Sequence, residues 1–314
     1  MTQHAVLNVL GVPVLFESNA EWLMRLAHDA YGGLPASEQV HEGHLRVRLL
    51  ANEDTLVSLP YPPMPNLYAD GNVVSAIFTI SDVVICVPVS GSALVTVSPV
   101  MRAFLHHTRY EMIEFACYRL VSHHLGAVGL HAACIAKDKR AWLIVGESGA
   151  GKSTLMMACV SRGWDLIAED SVFVLPGDGA EIRGVPAFIH LLDDALRFFP
   201  NMSRASRIIT RRSGATKHEI DIRTTFNRPM QVSATLSGLM FLEAKRAVGL
   251  PLMRKLTSAQ TAKRLARSQP FGPSYARWPD ALAHMAALPA FTLTLNDDVW
   301  QGVDLINHYR LEDE

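Results

Sequence analysis

The chain has 314 residues, 49% of them apolar and 19% charged, with a formal net charge of -1. That is enough chain for one large domain or two ordinary ones, and it describes a globular protein with no overall electrostatic pull toward nucleic acid or a membrane surface. Any anion-binding site must therefore be local. Cys86, Cys117, Cys134 and Cys159 form no CxxC pair, which argues against a zinc ribbon or a dithiol redox centre. The most apolar run, Val73 to Val89, is broken by Ser75, Ser81, Asp82 and Pro88, and no basic stretch followed by an apolar run opens the chain. A cytoplasmic protein without a membrane span is expected.

The first hundred residues read as a mixed α+β module. Glu21 to Ala30 has helical spacing, with Trp22, Leu23, Leu26 and Ala27 on one stripe and Tyr31-Gly32-Gly33 at its end. Leu45 to Leu50 and Asn72 to Val97 are rich in Val, Ile and Thr and are cut by Ser-Asp and Ser-Gly pairs, which is strand and turn chemistry. Between them, Pro60, Pro62, Pro63 and Pro65 remove too many backbone donors for regular structure, so Leu59 to Pro65 is expected to be a loop. Pro99 then opens what reads as one long helix, Met101 to His124, stopped by Gly126 and bridging to the next module.

From Gly129 the pattern alternates between strands and helices. Expected strands are Leu130 to Ala136, Ala141 to Val145, Leu166 to Ala168, Val172 to Leu175, Leu236 to Leu242 and Phe291 to Leu295. Turns are expected at Asp138-Lys139 and at Pro176-Gly177-Asp178-Gly179, and helices at Lys152 to Ser161, Ser258 to Ser268 and Asp297 to Arg310.

One motif carries specific chemistry. Gly146-Glu147-Ser148-Gly149-Ala150-Gly151-Lys152-Ser153 fits GxxxxGKS, with an apolar strand running in and a helix leaving. Its glycines let backbone N-H groups turn inward around phosphates, the helix N-terminus favours negative charge, and Lys152 supplies a cation. Ser153 is a magnesium ligand in such a loop. The nucleotide is thus expected to lie along Gly146, Glu147, Ser148, Gly149, Ala150, Gly151, Lys152, Ser153 and Thr154, as ATP with Mg2+. The apolar Leu166-Ile167-Ala168 leads into Glu169-Asp170, 17 residues after Lys152. That spacing leaves room for one helix and an immediate return strand, so one acid can hold the metal while the other accepts a proton. A turn or a helix cap is the plainer reading of the same two acids.

The run His131-Ala132-Ala133-Cys134, then Trp142 to Val145, the GxxxxGKS loop, Arg162-Gly163 and Glu169-Asp170 resembles the catalytic core of the HPr kinase/phosphorylase family. Within it, the chain is most similar to the divergent serine kinases of peptide-modifying gene clusters, lasso-peptide maturation among them. The match is good over Leu130 to Leu175 and faint elsewhere. It implies an α/β fold: a P-loop kinase core of HPr-kinase type over residues 127–314, a bridging helix over 101–126 and a smaller N-terminal α+β module over 1–100. It also implies that His131, 21 residues before Lys152, lies at the phosphate-transfer site, although a lone histidine at a strand start is more often structural. By the same resemblance Glu169 is the base and Asp170 joins Ser153 at the metal, the two roles being exchangeable. Thr154 stands where the bifunctional enzymes carry Glu, Glu169-Asp170 where they carry two aspartates, and their long downstream signature is not found. These departures weigh against HPr as substrate and against phosphorolysis.

Between Arg197 and Lys217 the chain carries Arg197, Arg204, Arg207, Arg211, Arg212 and Lys217. Arg211, Arg212 and Lys217 are candidates for binding substrate, with a solvated basic loop as the alternative. Aromatic residues for base stacking are not interleaved, so nucleic acid is not an expected partner. His106-His107 and His123-His124 point in different directions on a helix and make no obvious metal site. The expected activity is transfer of the γ-phosphate of ATP to a serine hydroxyl of a peptide or small protein, and a homo-oligomer is compatible with the sequence. A small-metabolite kinase and a slow nucleotide-sensing module are the rival readings.

Overall fold

The computed structural model describes residues 2–36, 45–53, 59–175, 177 and 180–312. Its contacts gather the chain into two compact units, Met1–Gly126 with Thr210–Ala215, and Ala127–Ile209 with Thr216–Glu314. The architecture is mixed α/β, with several sheets.

In the first unit, seven strands pair in the order β1-β2-β3-β7-β6-β5-β4. They are β1 Gln3–Val9, β2 Val12–Ser18, β3 Leu45–Ala51, β4 Asn66–Asp70, β5 Val73–Ile77, β6 Val83–Val87 and β7 Ser92–Val97. The neighbours β2, β3 and β7 run parallel; the other pairs are antiparallel. Along β3 the two-residue period is plain, with Leu45, Val47 and Leu49 buried and Arg46 and Arg48 exposed. Helix α1, Glu21–Tyr31, buries the stripe Leu23, Met24, Leu26, Ala27, Ala30 and Tyr31. Helix α2, Glu114–Leu125, buries Ala116, Cys117, Leu120 and Val121 and packs against β3, β6 and β7. The Ser81-Asp82 turn is closed by the buried Asp82 carboxylate, which accepts bonds from Ser98 N (2.6 Å), Ser98 Oγ (2.9 Å) and Thr79 Oγ1 (2.5 Å).

The segment expected as one helix from Met101 to His124 is broken. Pro99–Arg102 and Leu105–His107 are short turns separated at Ala103-Phe104, and a π-helical turn, Thr108–Ile113, precedes α2. Buried charge gives a reason for the π turn. Arg109 and Glu114, five positions apart, would face about 140° from each other on a regular α-helix. The wider turn lets the buried Arg109 Nε approach Glu114 Oε1 at 3.3 Å.

In the second unit, β8 Val128–His131, β9 Ala133–Lys137, β10 Arg140–Gly146, β11 Asp165–Ala168, β12 Ser171–Leu175 and β13 Glu181–Arg183 come first. Then follow β14 Phe188–Leu191, β15 Ser206–Thr210, β16 Thr216–Asp221, β17 Ser233–Leu242, β18 Leu252–Lys255 and β19 Ala290–Thr294. The main sheet runs β11-β9-β10-β17-β13-β12-β8, with β19 on β17 and β18 on β19; β14-β16-β15 form a separate small sheet. The expected single strand from Leu130 to Ala136 is therefore two. At Ala132 the chain changes partners, from β12 to β10 and β11. Because β11 and β12 are also consecutive, one antiparallel ladder continues across both breaks, from Ala168 opposite Cys134 to Ser171 opposite His131. The pairings thus close a circuit through the main sheet. The turn expected at Pro176-Gly177-Asp178-Gly179 lies, apart from Gly177, outside the described residues.

Helices cover both faces of β10, which is why that strand reads as uninterrupted apolar residues. Trp142 and Ile144 join a core with α3, Lys152–Ser161, and α6, Val299–Glu312, that includes Met156, Val160, Val303 and Ile306. Leu143 and Val145 join the opposite core, with Leu265 of α4, Ser258–Ser268, and Trp278 and Met285 of α5, Trp278–Ala287. Among the described residues no helix is long and apolar enough to cross a membrane.

Close approach at one glycine holds the β11 strand against the end of β13. A β-carbon on Gly184 would stand 2.2 Å from the Ile167 carbonyl oxygen and 2.6 Å from Ala168 Cβ, so backbone would have to move. Gly184→Ala is expected to lower stability by roughly 1–3 kcal/mol, the usual range for forced overpacking. Gly177→Ala, with open space around the added carbon, is the control and should be neutral in the same thermal or urea melt.

Candidate functional site

The loop between β10 and α3 is shaped by its own residues. Gly151 caps α3 with φ 99°, a conformation that a β-carbon would strain. The Lys152 ammonium folds back onto the loop, donating to the Gly146 carbonyl at 2.7 Å and the Glu147 carbonyl at 3.2 Å. Burial lowers the Lys152 pKa and the nearby Lys217 adds to this, while the charges of Asp170 and Glu169 oppose it. Glu147, Ser148 and Gly149 are exposed at the loop mouth, Ala150 is buried, and Ser153 and Thr154 are half-buried on the first turn of α3.

Glu169 stands where β11 passes into β12, and its side chain is buried. Its Oε1 accepts bonds from Ser153 Oγ at 2.7 Å and from the backbone N-H of His190 at 2.9 Å; its Oε2 meets His190 Nδ1 in a short contact. The other ring nitrogen, Nε2, lies 2.9 Å from Glu219 Oε2, and Glu219 Oε1 in turn accepts from Arg207 Nε at 2.9 Å and from Arg207 Nη2. A continuous path thus runs Ser153, Glu169, His190, Glu219, Arg207. Burial disfavours a charged imidazole, but the flanking carboxylates of Glu169 and Glu219 outweigh it and raise His190 to about 9. Burial pushes Glu169 upward, and the imidazolium with the Ser153 hydroxyl outweighs that, leaving the carboxyl below its ordinary value.

The candidates named from the sequence fall into three groups. Lys152, Ser153, Glu169 and Asp170 are brought together, and Lys217 of β16 lies within electrostatic reach of Lys152. His131 is exposed at the end of β8, opposite Ser171, and is placed through its backbone, whose N-H donates to Gln269 Oε1 at 2.8 Å. One residue on, Ala132 N-H donates to the Asp170 carbonyl at 3.2 Å. Arg211 and Arg212 instead lie in the first unit, where the Arg212 guanidinium pairs with both oxygens of Glu111 and donates to the Pro62 carbonyl at 3.1 Å and the Pro63 carbonyl at 2.7 Å. With four acceptors already engaged, Arg212 is part of the packing around the proline loop.

His190, Glu219 and Arg246 were not singled out in the sequence, and Arg207 was named there only as a member of the basic tract. The guanidinium of Arg246 lies beside Gly151, so close that a β-carbon there would be 3.3 Å from its Nη2. A signal for it existed. Strand β17 runs parallel to β10 with Leu242 opposite Gly146, so residues just beyond Leu242 emerge beside the loop that follows β10. For His190 the signal was one polar residue in the otherwise apolar β14, and its partner Glu219 becomes visible only once β14 and β16 are paired.

No family model and no curated protein matches this sequence. Among solved structures, the chain is similar to the Hpr(Ser) kinase/phosphatase from Coxiella burnetii, at 15% identity and a TM-score of 0.35, over 59% of this chain and 91% of that one.

The charge on His190 makes the site sensitive to pH in a defined direction. A raised histidine pKa contributes stability in full below the unfolded value of 6.5 and loses it as pH rises through about 9. A depressed Glu169 contributes in full above 4.5 and loses it as pH falls through its lower folded value. The stability gap between wild type and His190→Phe, read from urea midpoints, is expected to be widest between 4.5 and 6.5 and to narrow as pH rises through about 9. A gap that does not vary with pH would contradict a charged His190.

Proposed function

We propose that this chain is an ATP- and magnesium-dependent phosphotransferase whose acceptor is a serine hydroxyl on a peptide or small protein. The observation that carries the reading is the bond between Ser153 of the GxxxxGKS loop and Glu169 at the end of β11, with Asp170 next in sequence and Lys152 within electrostatic reach of both. The acceptor class comes from the resemblance of residues 130–175 to serine kinases of peptide-modifying clusters.

Two oxygens 2.7 Å apart, one hydroxyl and one ionised carboxylate, suit a hard divalent cation that prefers oxygen ligands. Ser153 and Glu169 would hold magnesium, which supplies charge neutralisation at the phosphates when bound. This exchanges the roles first given to the two acids. Glu169 is buried, already accepts three bonds and has a depressed pKa, all of which make it a poor proton acceptor. Asp170, half-buried and acting on Lys152, takes the base role. In the proposed reaction the acceptor oxygen bonds to the γ-phosphorus, the bond from that phosphorus to the bridging oxygen breaks, and ADP leaves. The acceptor proton passes to Asp170. Lys152, Lys217 and Arg246 offset charge on the transferring group, and backbone N-H groups at the start of α3 orient the phosphates.

Incubation with ATP, magnesium and serine-containing candidate peptides, followed by intact-mass measurement, tests this. A peptide gaining one phosphate supports the reading; a phosphorylated metabolite with no peptide product, or tight ATP binding with no product, overturns the acceptor or the activity. Lys152→Ala is expected to abolish transfer. Arg246→Ala should lower kcat by about 100-fold, in the range found when one charge-stabilising donor is lost, with little change in ATP binding. Normal kcat in Arg246→Ala would remove that residue from the mechanism.

A further inference from the structure

The proposed reaction uses Glu169 but leaves unexplained why so much is built behind it. Both carboxylate oxygens are engaged by one residue, His190, through its backbone N-H on Oε1 at 2.9 Å and its ring Nδ1 on Oε2. The ring is then held from its far side by Glu219 Oε2 at 2.9 Å, and Glu219 is held by Arg207. A glutamate has three side-chain torsions to fix, and fixing them costs rotamer entropy unless neighbours hold them beforehand. Two contacts on two oxygens fix the plane of the carboxylate as well as its position, which a single ion pair would not do.

We propose that His190 is a positioning residue that sets the Glu169 carboxylate on Ser153, so that the two oxygens form a ready-made pair for the divalent cation of a bound nucleotide. Glu219 and Arg207 keep the imidazole in the orientation this requires. The proposal rests on the phosphotransferase reading. Groups that orient a metal-binding side chain from behind change metal affinity by about 10–100-fold when removed, and that is the size of effect expected here.

Two near-isosteric substitutions separate positioning from general support. The amide nitrogen of Asn occupies the place of Nδ1 and keeps the contact to Glu169. That of Gln occupies the place of Nε2, keeping the contact to Glu219 and losing the one to Glu169. A fluorescent ATP analogue is titrated into full-length wild type, His190→Asn and His190→Gln with and without magnesium, and thermal midpoints are recorded. His190→Gln should weaken the magnesium dependence of binding by about 10–100-fold, while nucleotide affinity without magnesium stays as in wild type. His190→Asn should bind much as wild type does. Wild-type magnesium dependence in His190→Gln, or equal loss in both variants in step with their thermal midpoints, overturns the proposal. If His190→Gln does not fold, His190→Leu, of similar size and with neither ring contact, carries the test against His190→Asn: weaker magnesium dependence with unchanged magnesium-free affinity supports positioning, and wild-type dependence overturns it. Should wild type itself bind no nucleotide with or without magnesium, it is the phosphotransferase reading that falls.

Discussion

One buried carboxylate organises the second unit. Glu169 receives a hydroxyl from the first turn of α3 and both a backbone and a ring contact from β14, while its own backbone belongs to the junction of β11 and β12. An ionised carboxylate taken out of water costs several kcal/mol unless its lone pairs are filled and an opposite charge is near. Here both conditions are met by one serine and one histidine. The consequence is mechanical as well as electrostatic, because helix α3, the main sheet and the small sheet meet at this side chain. Removing one partner of such a buried pair costs about 3–5 kcal/mol in other proteins, more than most surface changes by an order of magnitude.

A chain with net charge -1 has no general attraction for the triphosphate of the proposed reaction, so on that proposal the attraction is assembled locally. Lys152 comes from the loop, Lys217 from β16 and Arg246 from the turn after β17, three segments far apart in sequence. Burial lowers the pKa of Lys152 first of all, and the charge of Lys217 adds to that cost. That cost is offset in part by Glu169 and Asp170, and an anion bound at the loop would relieve it further. The basic tract between Arg197 and Lys217 does not act as a unit. Arg207 pairs with Glu219 and Arg212 with Glu111, while Lys217 acts electrostatically on Lys152.

What could be read from the sequence was what local pattern determines. The helix Lys152–Ser161 and the apolar strand before it follow from composition and glycine placement. The Asp138-Lys139 turn also follows from local sequence; both residues take positive φ between β9 and β10. Elements whose stability comes from partners were not legible. Strands β1 and β4 are weakly apolar or exposed, and β13 has three residues, each defined by its neighbour rather than by its own pattern. The long helix was misread because period alone cannot show that Arg109 and Glu114 must meet, and the π turn is the local price of that pairing. Likewise the break at Ala132 reflects a change of partners along the ladder, which no residue in Leu130 to Ala136 announces.

The two adjacent acids illustrate how a motif gives residue types before roles. In sequence Glu169 and Asp170 are interchangeable candidates for metal and base. In the fold they are not, because Glu169 is buried with its oxygens engaged while Asp170 is half-buried and hydrogen-bonds Ala132 through its backbone. An acid whose oxygens are engaged and whose pKa is held down by an imidazolium is a weak base, which fits the ligand role proposed for Glu169. The longer side chain also makes sense at this position: the carboxylate must leave a strand in the main sheet and meet the hydroxyl on α3 and the ring on β14 together. An aspartate, one methylene shorter, would reach both only if the strand moved toward them.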